Sequence, residues 1–389
     1  MNIIRAGILY KFGRIVLVLF VVIVSLSSLC KHKPEENYLE PVNVSNNSGR
    51  SERPSIAVDS RNTVHLVWND DTPGNEEIFY AMKSANGSWS EPVQVTYNIG
   101  ASRSPYITID RTDKIHLAWQ QVVYQGNFSY WKIFYTWRNI GDTWATPETI
   151  SVYGASNRPI LAVDDELGLH LFWREAFAPD QCLYHYAHKA NGGQWQIQYL
   201  FTKQIASYEM IVDDENGVHV VLDPYMEIYY IEKRPDGTWA DTMRISYSPV
   251  NDWQTSDRPS IAVSSDGSIH VVWAEGDTAL SGVAYRRKTI QGGWGQIEPL
   301  YKGKVSFSEP KICIGNSDRI HLIWMMVDIN YGINSNGVWQ EPRTLYKNVN
   351  YRDKGTMTID SDEKIYYAWS YGVQQTFPIN YEIYFIEFK

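Results

Sequence analysis

The chain has 389 residues, 44% hydrophobic, 14% aromatic and 20% charged, with a formal net charge of -9. This supplies one large packed core or two ordinary ones and excludes a disordered or low-complexity chain. No cluster of Lys and Arg occurs in the body of the sequence, which argues against nucleic acid as a partner because phosphate-backbone binding needs a basic stripe.

The N-terminus carries Arg5, Lys11 and Arg14, then an apolar run from Ile15 to Leu26, then Ser27, Ser28, Leu29 and Cys30. A basic segment followed by a short apolar one is the pattern of an export signal. The run falls short of the roughly 20 apolar residues of a transmembrane helix. Residues 1–30 are therefore expected to be a signal peptide or membrane anchor, and 31–39 a linker. Cys30, followed by polar Lys31 to Asn37, resembles the lipidated cysteine of a bacterial lipoprotein. Cleavage after Ser27 and retention of the run are the alternatives. Each of them predicts an exported protein, anchored to the cell membrane or free in the extracellular or periplasmic space.

From residue 40 onward one phrase recurs: an apolar strand ending in Asp, a tight polar turn, then apolar-His-apolar-apolar-Trp. It begins with Ile56-Ala57-Val58-Asp59 and Val64-His65-Leu66-Val67-Trp68, and returns with Ile107 to Asp110 and Ile115-His116-Leu117-Ala118-Trp119. Further copies centre on His170 with Trp173, on His219, on His270 with Trp273, on His321 with Trp324, and on Tyr366 with Trp369. Each continues into a strand such as Ile78 to Tyr80 or Ile228 to Tyr230, a Gly-x-Trp turn, and a fourth strand such as Glu91 to Thr96. Four short strands in roughly 45 to 54 residues are the signature of a propeller blade. Seven copies predict an all-β, seven-bladed β-propeller of four-stranded antiparallel blades over residues 40–389.

The seventh copy ends at Lys389 after its third strand, while Glu40-Pro41-Val42-Asn43-Val44-Ser45 matches the fourth-strand phrase Glu91-Pro92-Val93-Gln94-Val95-Thr96. The N-terminal strand is therefore expected to complete the last blade and remove an exposed edge. Cys182 and Cys313 stand far apart in the repeat and predict two buried free thiols rather than a disulfide framework. Equivalent histidines in successive blades are spread around the ring and cannot converge on one ion. They are expected to make structural hydrogen bonds between blades, and no metal or cofactor is predicted.

The turns Asp236-Gly237-Thr238-Trp239, Ser84-Ala85-Asn86-Gly87-Ser88-Trp89 and Asn334-Ser335-Asn336-Gly337-Val338-Trp339 resemble a shortened Asp-box, the BNR repeat of the sialidases. With the strand phrases, the resemblance to sialidase-like propellers spans roughly residues 40 to 389. It implies the architecture, with the Asp-box turns on the face opposite the site, and a non-catalytic or divergent member. Sialidases have six blades, and their Arg-Ile-Pro motif finds only Arg53-Pro54 here, repeated at Arg158-Pro159 and Arg258-Pro259. No sialidase catalytic residue is carried over by motif.

The turns between first and second strands are short and nearly constant, whereas the loops between second and third strands vary, and variable loops on a fixed scaffold carry binding residues. That face offers aromatics and acids suited to sugar stacking and hydroxyl recognition, namely Tyr130, Trp131, Glu175, Asp223, Trp253, Glu275, Asp277 and Tyr371. Arg53, Arg158 and Arg258 precede the innermost strands, with Arg103 one residue off register and Lys354 in the last blade, and are expected to ring the mouth of the channel. Guanidinium groups there favour a carboxylate, hence an acidic glycan. The sequence thus predicts an envelope protein that binds carbohydrate. A glycoside hydrolase of sialidase-like type, a lyase, and a scaffold for other envelope proteins are the alternatives.

Overall fold

A computed structural model describes residues 38–389 except 152–153, 179–180, 205, 235, 247–254, 277–280, 304–308, 348, 350–351 and 373–379. The expected signal or anchor, Cys30 included, lies outside the described residues, as do Trp253 and Asp277.

Seven antiparallel sheets follow one another along the chain. In the first blade, Ser51–Val58 is the innermost strand, followed outward by Val64–Asp70, Glu77–Lys83 and Val93–Gln94. The innermost strands of the next five blades are Ser102–Ile109, Ser156–Val163, Tyr208–Val212, Thr255–Val263 and Lys311–Ile314. The seventh blade runs outward from Arg352–Ile359 through Ile365–Gly372 and Tyr381–Phe388, and its fourth strand is Val42–Asn43. Val42 pairs with Phe385 and Asn43 with Tyr384, so the chain closes on itself as its sequence predicts. The Ser45 hydroxyl secures the joint by accepting the Ile383 N–H at 2.9 Å. Among the described residues the single helical element is a 3-10 turn, Pro224–Met226.

Strand alternation explains the repeated phrase. Leu66 and Trp68 pack against Tyr366, Ala368 and Phe385 of the seventh blade, while Val67 packs against Ile107, Leu117 and Trp119 of the second. Successive side chains of one strand thus fill two different layers between blades, which is why the strand is apolar on both faces. Five of the largest fully buried side chains are the repeat tryptophans Trp68, Trp119, Trp173, Trp273 and Trp369. Truncating any of them to Ala should cost ~3–5 kcal/mol.

Except for His321, which also faces Glu363 of the next blade, the repeat histidines bond within their own blades rather than between blades, a correction to the sequence expectation. His65 Nε2 lies 3.4 Å from Asp59 Oδ2 and Nδ1 lies 2.7 Å from Tyr80 Oη. His116 joins Asp110 and Tyr135 at 3.2 and 2.8 Å, and His219 joins Asp213 and Tyr230 at 2.8 and 2.6 Å. A carboxylate only accepts, so Nε2 donates and Nδ1 accepts from the tyrosine. Each of these three histidines thereby ties the first turn to the third strand. One link between blades comes instead from the tryptophans of the turns between third and fourth strands. Trp144 meets the ring of Tyr80 edge-on, Trp195 that of Tyr135, Trp239 that of Tyr186 and Trp294 that of Tyr230. Cys182 is buried, Cys313 partly so, and both are free thiols.

Candidate functional site

The innermost strands of all seven blades line a central channel with a cavity of about 980 Å³. Four of the strands, those with a proline at this point, enter it through a repeated irregularity. Register slips between Glu52 and Ser55, Arg103 and Tyr106, Asn157 and Ile160, and Asp257 and Ser260. Pro54, Pro105, Pro159 and Pro259 stand in these gaps, where a residue without an N–H cannot join a ladder. The residue before each proline adopts a positive φ: 56° at Arg53, 51° at Ser104, 53° at Arg158 and 53° at Arg258. A branched or long side chain ahead of proline rarely takes this conformation, and a bulge of this kind re-aims a side chain.

Each strained residue is held by the preceding blade. The N–H of Arg53 donates to Ser370 Oγ at 3.2 Å, that of Ser104 to Asn69 Oδ1 at 3.3 Å, that of Arg158 to Gln120 Oε1 at 2.8 Å, and that of Arg258 to Asp223 Oδ2 at 2.7 Å. Every acceptor directly follows the second-strand Trp of its blade, or Leu222 in the fourth. The bonds offset part of the strain and fix the arginine backbones at the channel mouth.

Arg53, Arg158, Arg258 and Lys354 all line this one cavity. Ser104, Ser207 and Glu309 occupy the same position in the other three blades and line it too. The mouth is therefore cationic on four blades and acidic on one. Two residues deeper, Glu209 and Lys311 form an ion pair between the fourth and sixth blades, and Glu209 also accepts the Ile261 N–H of the blade between them at 3.3 Å. Burial opposes the Lys311 charge, but Glu209 and Glu309 outweigh it and raise its pKa. Tyr208, buried between the third and fourth blades against Phe172 and Tyr184, donates its hydroxyl to the Arg158 carbonyl at 2.5 Å.

Asp223 is buried and accepts two backbone N–H groups, from Ser207 at 2.6 Å and from Arg258 at 2.7 Å. Burial nevertheless raises its pKa to about 6, and Asp257 nearby adds to the shift. Asp257 itself is raised, chiefly by burial, with Arg258 pulling the other way. Two carboxyl groups with weakened acidity thus flank Arg258.

The other anticipated residues sit in different settings. Glu275 accepts from Trp273 Nε1 at 2.5 Å and from Ser256 Oγ at 2.8 Å, so it clamps the first two strands of its blade. Glu175 lies 3.2 Å from His185 Nε2, whose ring stacks on Trp173. Tyr371 meets Tyr384 edge-on at 5.3 Å. Tyr130 and Trp131 belong to the longest hairpin, Ile115–Gln125 with Phe128–Arg138. Arg103 lies over the Trp131 ring at 5.3 Å while paired with Glu76. At the hairpin tip Tyr124 and Phe128 are 61% and 68% exposed, a bare aromatic edge. The turn Asp236-Gly237-Thr238-Trp239 keeps a compact geometry, in which Asp236 accepts from the Thr238 N–H at 2.8 Å and from its hydroxyl at 2.6 Å, with Gly237 at φ 88°.

The latch residues Asn69, Gln120, Asp223 and Ser370 and the Glu209–Lys311 pair are absent from the sequence expectation, except for Asp223. A uniform position after Trp was the available signal for the first group, but its chemistry varies among Asn, Gln, Asp and Ser.

No protein-family profile matches the chain and no curated protein matches it in sequence. Solved structures match its fold. The polysaccharide lyase Uly1 aligns with a TM-score of 0.58 at 11% identity, over 92% of this chain and 92% of its own. The GH93 α-L-arabinofuranosidase of Fusarium graminearum, solved with arabinobiose, gives 0.52 at 8% identity over 90% and 97%. A protein of unknown function from Dyadobacter fermentans gives 0.54 at 10% identity over 92% and 100%. At such identities the likeness is one of fold.

Proposed function

We propose that this propeller binds carbohydrate on its loop face and that its ligand is an acidic glycan whose carboxylate docks at the channel mouth. The observation that carries this reading is the convergence of Arg53, Arg158 and Arg258 on one cavity from three equivalent, strained and separately latched positions. Strain of this kind persists where its surroundings over-determine it, and it clusters at ligand clamps. Planar guanidinium groups suit a carboxylate, and the exposed rings of Tyr124 and Phe128 suit the apolar face of a sugar further out. Structural relatives that act on polysaccharide or carry an arabinobiose ligand support a glycan over a peptide. The resemblance of the Gly-x-Trp turns to the Asp-box supports a sialidase-like origin, and the N-terminal basic and apolar segments support export and anchoring at the envelope.

One observation favours a second, enzymatic reading. Asp223, with a pKa of about 6, and Asp257 would supply the paired carboxyl groups that glycoside cleavage uses. A glycan array probed with the protein, followed by product analysis on each hit, separates the two. Retained glycan without fragments supports binding, fragments support the enzyme, and an array with no hit removes both.

A further inference from the structure

Six blades place Met82, Trp137, Glu232, Arg287, Ile333 and Glu387 on the third strand opposite the repeat His or Tyr, whereas the third blade places His188 directly across from His170. The two ring centroids are 4.9 Å apart. One ligand-capable atom from each of Asp164, His170 and His188 lies within 4.8 Å of the others. Only a modest closure separates that spacing from a shell with bonds of about 2.0–2.2 Å to nitrogen and oxygen.

Three local features prepare the place. Asp164 is fixed from behind, its Oδ1 accepting the N–H groups of Glu166 at 2.9 Å and Gly168 at 2.6 Å, while Oδ2 faces His170 Nε2 at 2.9 Å. A Cβ at Gly168 would stand 2.4 Å from Asp164 Oδ2 and 3.0 Å from His188 Nε2, so glycine keeps the space between these groups open. Tyr186 Oη lies 2.7 Å from His170 Nδ1. If the His170 proton moves from Nε2 to Nδ1, Nε2 is released for an ion and the tyrosine oxygen accepts from Nδ1, the outer bond that orients a ligating imidazole.

We propose that Asp164, His170 and His188 bind one divalent transition ion of the zinc class, through two imidazole nitrogens and one carboxylate oxygen, with water completing the shell. This donor set selects Zn²⁺, Co²⁺ or Ni²⁺ over Ca²⁺ and Mg²⁺, which take oxygen ligands. Lys233, whose ammonium lies 5.5 Å from the Tyr186 ring centroid, brings a positive charge close by, so micromolar rather than nanomolar affinity is expected. The site belongs to the turn face, away from the channel mouth, and does not depend on the glycan reading.

The test uses full-length protein stripped with a chelator and dialysed, then titrated with Zn²⁺ by calorimetry and with Co²⁺ by visible absorption. One equivalent should bind, Ca²⁺ should not compete, and zinc should raise the melting temperature as a ligand of the folded state does. His188→Ala should weaken zinc at least ~10-fold and abolish that rise, yet melt like the wild type without metal, because among the described residues no hydrogen bond holds the His188 ring. His188→Gln is the second variant should the alanine protein fold poorly. Absence of saturable zinc binding, or binding that survives loss of His188, would overturn the proposal.

Discussion

Lys311, on the innermost strand of the sixth blade, is ion-paired with Glu209, on the innermost strand of the fourth, so that one side-chain pair spans the fifth blade inside the channel. Their side chains are only 20% and 23% exposed. Lys311→Met should therefore destabilise the protein by ~2–4 kcal/mol, below the top of the range for breaking a buried pair because some solvent reaches both groups. Replacing both by Lys311→Met and Glu209→Leu should recover most of the loss, since no uncompensated charge remains. Denaturant unfolding of the two single variants and the double variant measures the coupling. A coupling near zero would show that the channel holds water enough to solvate each charge alone.

Deletion of residues 38–46 should destabilise the whole ring rather than fray one end. The segment contributes Val42 and Asn43 to the seventh sheet, buries Val44 against Tyr366 and Phe385, and sends the Leu39 N–H to the Leu345 carbonyl at 2.8 Å. Its loss exposes the edge of Tyr381–Phe388 and opens the layer between first and last blades. A single, lower and still cooperative thermal transition is expected. An unchanged melting curve would mean that this closure contributes nothing to stability.

Acid should loosen the propeller through its histidines. Burial lowers the pKa of His65, His116, His270 and His321, and for His270, where Arg287 adds to the effect, the value falls to about 4. An unfolded histidine titrates near 6.5, so the unfolded state takes up protons first. The stability these groups provide is complete above pH ~6.5 and is lost as pH falls toward 4, on the order of 2–3 kcal/mol for His270. Asp223 works in the opposite sense. Its folded pKa of about 6 makes its contribution greatest below the unfolded value and lost as pH rises through 6, and the raised Asp257, Glu175, Glu275 and Glu382 act in the same sense. The histidines, however, are joined by Asp70, Asp110, Asp213 and Glu232, whose lowered pKa values also cost stability in acid. Melting temperature should fall steadily from pH 7 to 4, and His270→Gln should flatten part of that slope at the cost of lower stability at pH 7. A flat wild-type profile over this range would contradict buried neutral imidazoles.

What the sequence disclosed and what it withheld divides along locality. The apolar-His-apolar-apolar-Trp phrase revealed seven blades because period-two alternation and a fixed turn length are both short-range. The Glu40-Pro41-Val42 match revealed the closure because it copies another fourth strand. The histidine partners are not legible in the sequence because Asp59 lies on a turn and Tyr80 on the adjacent strand, and alternation alone cannot say which of two layers holds the bond. The sixth blade makes the limit plain. It lacks the repeat Asp, having Gly315 there, and Glu363 of the seventh blade approaches His321 Nε2 to 3.5 Å in its place. A Cβ at Gly315 would collide with that carboxylate at 2.5 Å. The channel arginines were legible through Arg-Pro at matching positions, but the positive φ that re-aims them depends on latches from neighbouring blades.

The binding proposal stands or falls on those arginines. Arg158→Ala removes a guanidinium from the mouth while leaving the backbone N–H that bonds Gln120 Oε1 at 2.8 Å and the carbonyl that accepts from Tyr208. The blade should therefore still fold, with the strained φ of 53° no worse for alanine than for arginine. Affinity for a uronic-acid or sialic-acid glycan should drop by ~1.5–3 kcal/mol, the range for hydrogen bonds to a charged group, and affinity for a neutral analogue should hardly change. Calorimetric titration of wild type and variant with both ligands, alongside their melting curves, gives the comparison. Arg53→Ala and Arg258→Ala should repeat the result if a carboxylate sits centrally among them. Equal affinity of the wild type for acidic and neutral glycans, or a variant that merely unfolds in all three cases, would reduce these arginines to struts between blades and leave the channel mouth without its ligand.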